Sequence, residues 1–235
     1  MENSNSIKVF AVQVQKALES DLFNEMLGLI DGSKRDRILK FYHWHDAHRA
    51  LFADLLVRML LIRSKGIRNR DIFFSTLLYG KPVTNFPSFH FNVSHSGDWV
   101  VCAIDSQEIG VDIEKVGNID LEISGNFFSK DEHADLINSE DPTTRFYDYW
   151  TLKESYIKYT GKGLSLPLDS FSIRFFRDGK IGIEADQTLL KDVHFKQYEF
   201  ATEHKMAVCA GNRHFSDECT IYSIDNIIDT LRNFK

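Results

Sequence analysis

Two segments of this chain place carboxylates inside stretches whose other residues are typical of a buried core. The first is residues 109–114, and the second is the helix-like stretch of residues 150–158. A carboxylate in apolar surroundings is unfavourable unless its charge is compensated, and a bound cation is a common compensation. Any fold of this chain must therefore bring the two segments to a polar site, where we expect Asp112, Glu114 and Glu154 to meet around one cation.

Strand alternation sets the direction in which the first cluster points. Side chains of a strand alternate between two faces, so the isoleucines and the valine of residues 109–114 share one face, which we expect to be core. Gly110, Asp112 and Glu114 share the other face. Two carboxylates two residues apart on one face can bind the same small cation, and we expect Gly110 to leave space for a ligand beside them.

Helical spacing gives the direction of the second cluster. Trp150, Glu154 and Ile157 lie at i, i+4 and i+7, which turns Glu154 inward beside an aromatic and an aliphatic residue. Lys158 follows one turn later and could reach the same ligand. Alternatively, Glu154 and Lys158 form a surface pair worth a few tenths of a kcal/mol. The two acidic clusters together, with Lys158 and a glycine-rich exit, favour the site.

The donor set favours magnesium over calcium or zinc. All donors are oxygens, and three carboxylates are too few for a closed calcium cage. Mg²⁺ prefers a few carboxylates together with waters and substrate phosphate oxygens, so we expect Mg²⁺ holding a pyrophosphate. The histidines His43, His45 and His48 do not have the i, i+4 spacing of a helical zinc pair.

Candidate phosphate contacts lie at strand ends and turns. Ser94 and His95 are neighbours on a predicted strand and point to opposite faces, which disfavours a serine nucleophile activated by that histidine. Both could instead donate hydrogen bonds to a phosphate. Lys81, in the turn Tyr79-Gly80-Lys81-Pro82, is another candidate. An ordinary solvated turn lysine is an equally good interpretation on local grounds.

Helices and short strands are mixed along the whole chain. In the first part we expect a strand at 7–14, a helix at 17–30, a helix capped by Ser33, a helix at 45–64 ended by Gly66, and a strand at 71–78. Three strands with tight turns, predicted as an antiparallel meander, follow at 89–94, 99–105 and 109–114. In the last part we expect a helix from Asp141-Pro142 to Gly161 and strands at 171–176, 180–185, 194–201 and 206–210.

This mixture predicts an α+β fold of two similar halves, each a small, mostly antiparallel sheet packed with helices. The 235 residues are 43% hydrophobic, which is ample for a sizeable core. We place the division near residue 107, giving halves 1–107 and 108–235. No linker rich in Pro, Gly or Ser separates them, so we expect the halves to pack rigidly.

Charge is distributed unevenly along the chain. Residues 1–82 hold 13 Lys and Arg against 9 Asp and Glu, whereas the remainder is strongly acidic and the total is −6. We therefore expect no nucleic-acid binding; a local basic patch in the first third suits a compact phosphate ligand. The three cysteines show neither metal-ligand spacing nor a disulfide framework. No signal peptide or membrane-spanning run is visible, so we expect no membrane association and a cytoplasmic protein.

Several motifs, spread over nearly the whole length, resemble those of the Sfp-type (surfactin-type) 4′-phosphopantetheinyl transferases. They are Phe41-Tyr42, Ala47-His48-Arg49, Tyr79-Gly80-Lys81-Pro82, Phe91-Asn92-Val93-Ser94-His95-Ser96-Gly97, Ile109-Gly110-Val111-Asp112-Ile113-Glu114, Trp150-Thr151-Leu152-Lys153-Glu154-Ser155 and Gly161-Lys162-Gly163-Leu164-Ser165-Leu166-Pro167. Spaced together, these motifs are highly specific.

The resemblance implies a monomer of two pseudo-symmetric halves with coenzyme A in the cleft between them. It implies that Asp112, Glu114 and Glu154 bind Mg²⁺ against the pyrophosphate and that Lys158 contacts the pyrophosphate. The first half would contact the adenosine and its phosphates, and the second would hold the metal and dock a carrier protein, with residues 115–135 as a candidate contact surface. The expected coenzyme A contacts are Lys34, Arg37, Gly80, Lys81, Pro82, Ser94, His95 and Lys158.

The implied reaction transfers 4′-phosphopantetheine from coenzyme A to a serine of an apo peptidyl or acyl carrier protein and releases 3′,5′-ADP. Glu154 is the candidate acceptor of the serine proton, although it could be a metal ligand alone, and Lys158 would offset charge on the leaving phosphate. One alternative is a Mg²⁺-dependent phosphohydrolase acting on coenzyme A. Another is a coenzyme A-binding module without catalysis.

Overall fold

The computed structural model describes residues 6–235. The helices are α1 (Ser20–Leu27), α2 (Gly32–Ile38), α3 (Trp44–Lys65), α4 (Ser124–Phe127), α5 (Lys130–Ile137), α6 (Pro142–Thr160) and α7 (Ile224–Asn233). The strands are β1 (Ile7–Gln13), β2 (Phe74–Thr76), β3 (Pro82–Thr84), β4 (His90–Ser96), β5 (Trp99–Asp105), β6 (Ile109–Lys115), β7 (Phe171–Phe175), β8 (Ile181–Ala185), β9 (Thr188–Leu189), β10 (His194–Gln197), β11 (His204–Ala210) and β12 (Phe215–Tyr222). In this described part of the chain, no helix is both long and apolar enough to cross a bilayer.

The first sheet has the strand order β12-β1-β5-β4. Helix α3 covers it and is buried on all sides from Leu51 to Ile62, so its stability comes from packing rather than from an amphipathic pattern. Gly66 ends the helix with a left-handed backbone at φ 66°, as predicted. Together α3 and the sheet enclose the largest apolar core of the protein.

The second sheet has the order β10-β11-β6, with helix α6 packed against it. Strand β6 pairs antiparallel with β11 and not with β5, so the predicted three-stranded meander is wrong for its third strand. The reason is apolar packing between sheets. Ile109, Val111 and Ile113 form one buried cluster with Val9 and Val101 of the first sheet, so β6 lies over that sheet rather than beside β5.

Helix α6, which carries the second acidic cluster, begins and ends as the sequence predicts. The Asp141 carboxylate caps it by accepting from the amide of Thr144, Pro142 is its first residue, and Gly161 ends it at φ 69°. Earlier boundaries differ from the prediction. Asp31, not Ser33, occupies the N-cap of α2, and helix α1 and strand β2 are shorter than expected.

The last strand and helix were not predicted. Strand β12 pairs in parallel with β1, and α7 packs on α3, so residues 215–233 return to the first sheet after the chain has built the second. The passage from β5 to β6 near residue 107 is the point at which the chain changes sheets. The α+β class, with small, mostly antiparallel sheets packed with helices, is confirmed.

Candidate active site

Strands β4 and β6 run side by side in the same direction, and side chains rather than a backbone ladder join them. The Ser94 hydroxyl donates to Oδ1 of Asp112 at 2.9 Å, and the Ser96 hydroxyl donates to Oε2 of Glu114 at 2.8 Å. The Asn92 side-chain oxygen accepts from the amide of Val111 at 2.9 Å. The two acidic side chains of β6 therefore face the first half of the protein, on the face that alternation predicts.

Helix α6 approaches β6 closely at Gly110. A Cβ atom at this position would lie 2.0 Å from the carbonyl oxygen of Ser155 and 2.4 Å from the amide nitrogen of Tyr159. The expectation that Gly110 leaves space for a ligand is therefore wrong, because the backbone of α6 fills that space. The close approach serves the site indirectly, since it brings Glu154 and Lys158 next to the carboxylates of β6.

The predicted ligands and cations meet in one cleft of about 800 Å³. Its walls include Asp112, Glu114, Glu154 and Lys158, so the two sequence clusters do share a site. The Lys158 ammonium lies 2.6 Å from Oδ1 of Asp112 and 2.9 Å from the hydroxyl of Ser94. This partly buried contact with Asp112 replaces the alternative of a surface Glu154–Lys158 pair.

Negative charge accumulates in this part of the cleft. Burial raises the pKa of Glu114, and the nearby Asp112 raises it further, while Ser96 and Lys158 oppose the rise. Burial and Asp112 likewise raise the pKa of Glu154, with Lys158 acting against them. Lys158 thus offsets the raised pKa values of Glu114 and Glu154 only in part, and an added cation would favour the ionised forms of these two residues.

The carboxylates of Asp112, Glu114 and Glu154 suit Mg²⁺ by their chemistry but do not yet converge on one point. Within residues 6–235, no group of three or more His, Cys, Asp or Glu side chains is arranged to hold a metal ion as the side chains now lie. The Lys158 ammonium occupies the place beside Asp112. However, Oδ2 of Asp112 is buried and has no hydrogen-bond partner among the described residues. The donor set fits Mg²⁺, provided that the side chains of the acidic residues turn toward one point.

Helix α2 supplies two cations to the same cleft. Lys34 and Arg37 line it, as do Gly80 and Pro82. Lys34, Arg37 and Pro82 also border a neighbouring cavity of about 590 Å³ in the first half. The cleft therefore continues from the acidic cluster past the cations of α2, so it can take an elongated ligand with more than one phosphate.

Lys81 lies where the two halves meet. Its ammonium bonds to Oε2 of Glu108 at 2.5 Å and to the carbonyl oxygens of Ile109 and Tyr159 at 3.2 and 3.1 Å. The side chain is 7% exposed, so the alternative of a solvated turn lysine is wrong. These contacts give Lys81 a role in docking the halves, and its contact with coenzyme A stays a prediction.

Ser94 and His95 do not form a nucleophile–base pair. The Ser94 hydroxyl is buried against Asp112 and Lys158, whereas the His95 ring is exposed within the cleft. Surrounding protein lowers the pKa of His95, and the positive charge of Arg49 lowers it further. A neutral ring at this position can donate or accept a hydrogen bond from a ligand.

Sequence reasoning did not assign three further residues in or near the cleft to the site. Phe41 and Trp150 line the cleft, and Arg49, which lies near His95, donates from Nη1 to the carbonyl oxygen of Gly97 at 2.7 Å. Nε of Arg49 is buried without a hydrogen-bond partner in the described part of the chain. All three belong to motifs quoted above, but neither an aromatic residue nor an arginine by itself signals contact with a ligand.

Comparison with known proteins identifies the family. A model of the 4′-phosphopantetheinyl transferase superfamily matches residues 108–209, and a model of the N-terminal part of 4′-phosphopantetheinyl transferases matches residues 18–107. The chain is 44% identical over 229 residues to the 4′-phosphopantetheinyl transferase Sfp of Bacillus subtilis (strain 168), covering 94% of this chain and 100% of that one.

A second relative and one solved structure complete the comparison. The 4′-phosphopantetheinyl transferase psf-1 of Bacillus pumilus is 34% identical over 233 residues, covering 97% of this chain and 100% of that one. The holo-[acyl-carrier-protein] synthase of Thermotoga maritima has a TM-score of 0.37 at 15% identity, covers 43% of this chain and 61% of that chain, and adds nothing to the assignment. Since the sequence similarity spans nearly the whole chain, the protein belongs to the 4′-phosphopantetheinyl transferases of the Sfp type.

Proposed function

We propose that this protein transfers the 4′-phosphopantetheine group of coenzyme A to a serine hydroxyl of an apo peptidyl or acyl carrier protein and releases 3′,5′-ADP. The observation that carries the proposal is the cleft in which Asp112, Glu114, Glu154 and Lys158 meet next to the cations of α2, in a chain of this family. All these side chains come from one chain, and we propose that it acts as a monomer.

Coenzyme A would lie along the cleft with its charged groups near complementary side chains. Lys34 and Arg37 border the cavity of the first half and suit the phosphate on the adenosine. Ser94, His95 and Lys158 lie nearer the acidic cluster and suit the pyrophosphate. This order leaves the pantetheine end at the part of the cleft to which a carrier protein must come.

Asp112, Glu114 and Glu154 would hold Mg²⁺ in this protein. When bound, Mg²⁺ would neutralise the pyrophosphate and fix its orientation. The buried and unpartnered Oδ2 of Asp112 is the atom of this set that most needs a positive partner.

Glu154 and Lys158 are the proposed catalytic residues. Glu154 lines the same cleft as the residues assigned to the pyrophosphate, so its ionised carboxylate can accept the proton of the incoming serine. Lys158, placed on the same helix one turn later, donates hydrogen bonds to the phosphate that leaves. The nucleophile belongs to the carrier protein, so the site needs no serine or cysteine of its own.

Mass spectrometry of one reaction mixture tests this function. The protein is incubated with coenzyme A, Mg²⁺ and an apo carrier protein, and the control carrier has its acceptor serine replaced by alanine. We expect the intact carrier, and not its control, to gain the mass of phosphopantetheine. Free phosphopantetheine would indicate a hydrolase, and unchanged masses would indicate a binding module; either result contradicts the proposal.

A further inference from the structure

A second charge cluster lies at the base of the neighbouring cavity of the first half, which Asp31 and Asp54 line together with Lys34. Asp54 and Arg58 of helix α3 are 1% and 2% exposed. Oδ1 of Asp54 accepts from Nε of Arg58 at 2.5 Å, while Oδ2 lies 2.9 Å from the ammonium of Lys34. Nη2 of Arg58 reaches Oδ2 of Asp31 at 3.0 Å. The cluster thus connects Lys34, on the surface of the cleft, with the interior of the protein.

Arg58 is itself fixed from several sides. Its Nη1 donates to the side-chain oxygen of Asn69 at 3.1 Å and to the carbonyl oxygen of Ile72 at 3.3 Å. Asn69 in turn donates to the carbonyl oxygen of Leu29 at 2.7 Å, and the guanidinium lies 5.0 Å from the ring centre of Phe74. Moving a buried guanidinium would break these bonds together, so Arg58 is a rigid anchor for the two aspartates.

Helix α2 depends on this anchor because it has little else to hold it. Of its seven residues, all of them described, only Ile38 is buried. A helix of this length is unstable by itself, and one buried side chain contributes little packing. Asp31, at its N-cap, reaches Arg58, and Lys34, in its first turns, reaches Asp54. These polar contacts therefore set where Lys34 and Arg37 lie.

We propose that Asp54 and Arg58 are positioning residues for coenzyme A: they hold helix α2 and the Lys34 ammonium at the wall of the cleft in the orientation that binds the phosphate on the adenosine. This proposal rests on the function proposed above. Neither residue needs to touch the ligand, because Asp54 acts through Lys34 and Arg58 acts through both aspartates.

Simple electrostatics and positioning predict opposite effects when an aspartate is neutralised. Removing a negative charge near a polyanion site should strengthen binding of coenzyme A if only the field matters. If positioning matters, losing the aspartate should weaken binding of coenzyme A. The freed Lys34 side chain then regains rotamers that it must lose again when the ligand binds. In Asp54→Asn the new amide NH₂ also faces either the Lys34 ammonium or Nε of Arg58, donor against donor in both orientations. The sign of the change therefore separates the two effects.

Calorimetric titration of the full chain with coenzyme A measures this sign. We expect Asp54→Asn to weaken binding about tenfold, from the loss of the buried ion pair with Lys34, and Asp31→Asn, at a half-exposed position, to weaken it about threefold. Asp36→Asn is the matched control, since Asp36 is an exposed acid of the same helix whose partner is Arg35 on the surface. Its affinity should stay within about twofold.

A double variant and steady-state kinetics show whether Asp54 acts through Lys34. In a Lys34→Ala background, Asp54→Asn should change the affinity for coenzyme A by less than about twofold. In the transfer assay the single variant should raise the KM for coenzyme A and leave kcat and the KM for the carrier protein nearly unchanged.

Three results would overturn the positioning role. The first is equal or tighter binding of coenzyme A by Asp54→Asn, and the second is full additivity with Lys34→Ala. The third is a fall in kcat together with a rise in both KM values and a lowered melting temperature, which would mean general misfolding. A wild-type protein that binds coenzyme A but transfers nothing would refute the proposed function instead, and the titrations would still decide the positioning role.

Discussion

The hydroxyl of Ser94 donates a hydrogen bond to Oδ1 of Asp112 at 2.9 Å, and the same oxygen accepts from the ammonium of Lys158 at 2.6 Å. Ser94 belongs to the first sheet, Asp112 to the second sheet and Lys158 to helix α6. One of the contacts that join the two sheets is thus made of the residues expected to hold the ligand. Binding and docking of the halves consequently depend on the same atoms.

Ser94→Ala tests this double role. The substitution removes a buried hydroxyl bonded to two charged groups, so we expect the melting temperature to fall by about 5 °C. Activity in carrier labelling should fall as well, because Asp112 and Lys158 lose a shared neighbour. Ser170→Ala is the control, since that exposed hydroxyl bonds within its own turn to Pro167. An unchanged melting temperature for Ser94→Ala would contradict the role in docking.

Glu154→Gln should separate activity from stability. We expect transfer to fall about a thousandfold, because the variant loses a metal ligand and the proton acceptor. In the absence of metal, however, the melting temperature of the variant should exceed that of the wild type. The reason is that burial and the charge of Asp112 disfavour the ionised form of Glu154. Glu140→Gln, at an exposed position, should change neither quantity. Near-normal labelling by Glu154→Gln would rule out both assigned roles.

Mg²⁺ should stabilise the protein through Asp112. A ligand that binds the folded state raises the melting temperature, so titration with Mg²⁺ in the presence of coenzyme A should raise that of the wild type. Asp112→Asn should abolish this rise in melting temperature. It should also lower the melting temperature measured without Mg²⁺, since it weakens the ion pair with Lys158. A rise of equal size in both proteins would place the metal elsewhere.

Lys34→Ala should act mainly on coenzyme A binding. The Lys34 side chain is 30% exposed at the border of the cleft, so its loss leaves little unfilled space. We expect the KM for coenzyme A to rise about tenfold while kcat changes little, since the residue is remote from the transferred phosphate. Steady-state labelling at varied coenzyme A concentration measures both constants. An unchanged KM would contradict the placement of the adenosine phosphate.

His48 should make stability depend on pH. Its Nε2 accepts from the amide of Leu18 at 3.0 Å and its Nδ1 donates to the carbonyl oxygen of Trp44 at 2.8 Å, which requires a neutral ring. Burial lowers the pKa of His48 below the ordinary 6.5. The unfolded chain therefore takes up the proton first, and stability present above pH 6.5 is lost as the pH falls below it.

Denaturant unfolding at several pH values checks the contribution of His48. His48→Gln should lose this part of the pH dependence, whereas His43→Gln, at an exposed position, should keep it. If His48→Gln and the wild type lose stability in parallel between pH 7 and pH 5, another group is responsible.

Gly110→Ala should destabilise the fold strongly. The new methyl group would meet backbone atoms of Ser155 and Tyr159, which cannot rotate away as a flexible side chain can. We expect a loss of about 3 kcal/mol or more in the free energy of unfolding. Gly117→Ala, where the nearest atom to the new Cβ is at 3.9 Å, should cost about 1 kcal/mol or less. A free energy of unfolding equal to that of the wild type in Gly110→Ala would contradict the close packing of α6 on β6.

The local sequence determined the elements with strong signals. Proline, aspartate and glycine fixed both ends of α6, glycine fixed the end of α3, and period-two alternation gave the correct faces of β6. The acidic residues of the site also carried a signal, because a carboxylate among apolar neighbours needs compensation whatever the fold. Motif spacing then supplied the family.

Only the tertiary structure decided which partners these elements take. The sequence could not show that β6 leaves the meander, or that β12 and α7 return to the first half, because pairing between distant segments depends on apolar faces that meet only in the folded chain. The same holds for Gly110, whose missing side chain admits a helix rather than a ligand. The charges Asp54 and Arg58 lie i, i+4 in an apolar run, but their role follows from Lys34, which is distant in sequence and adjacent in space.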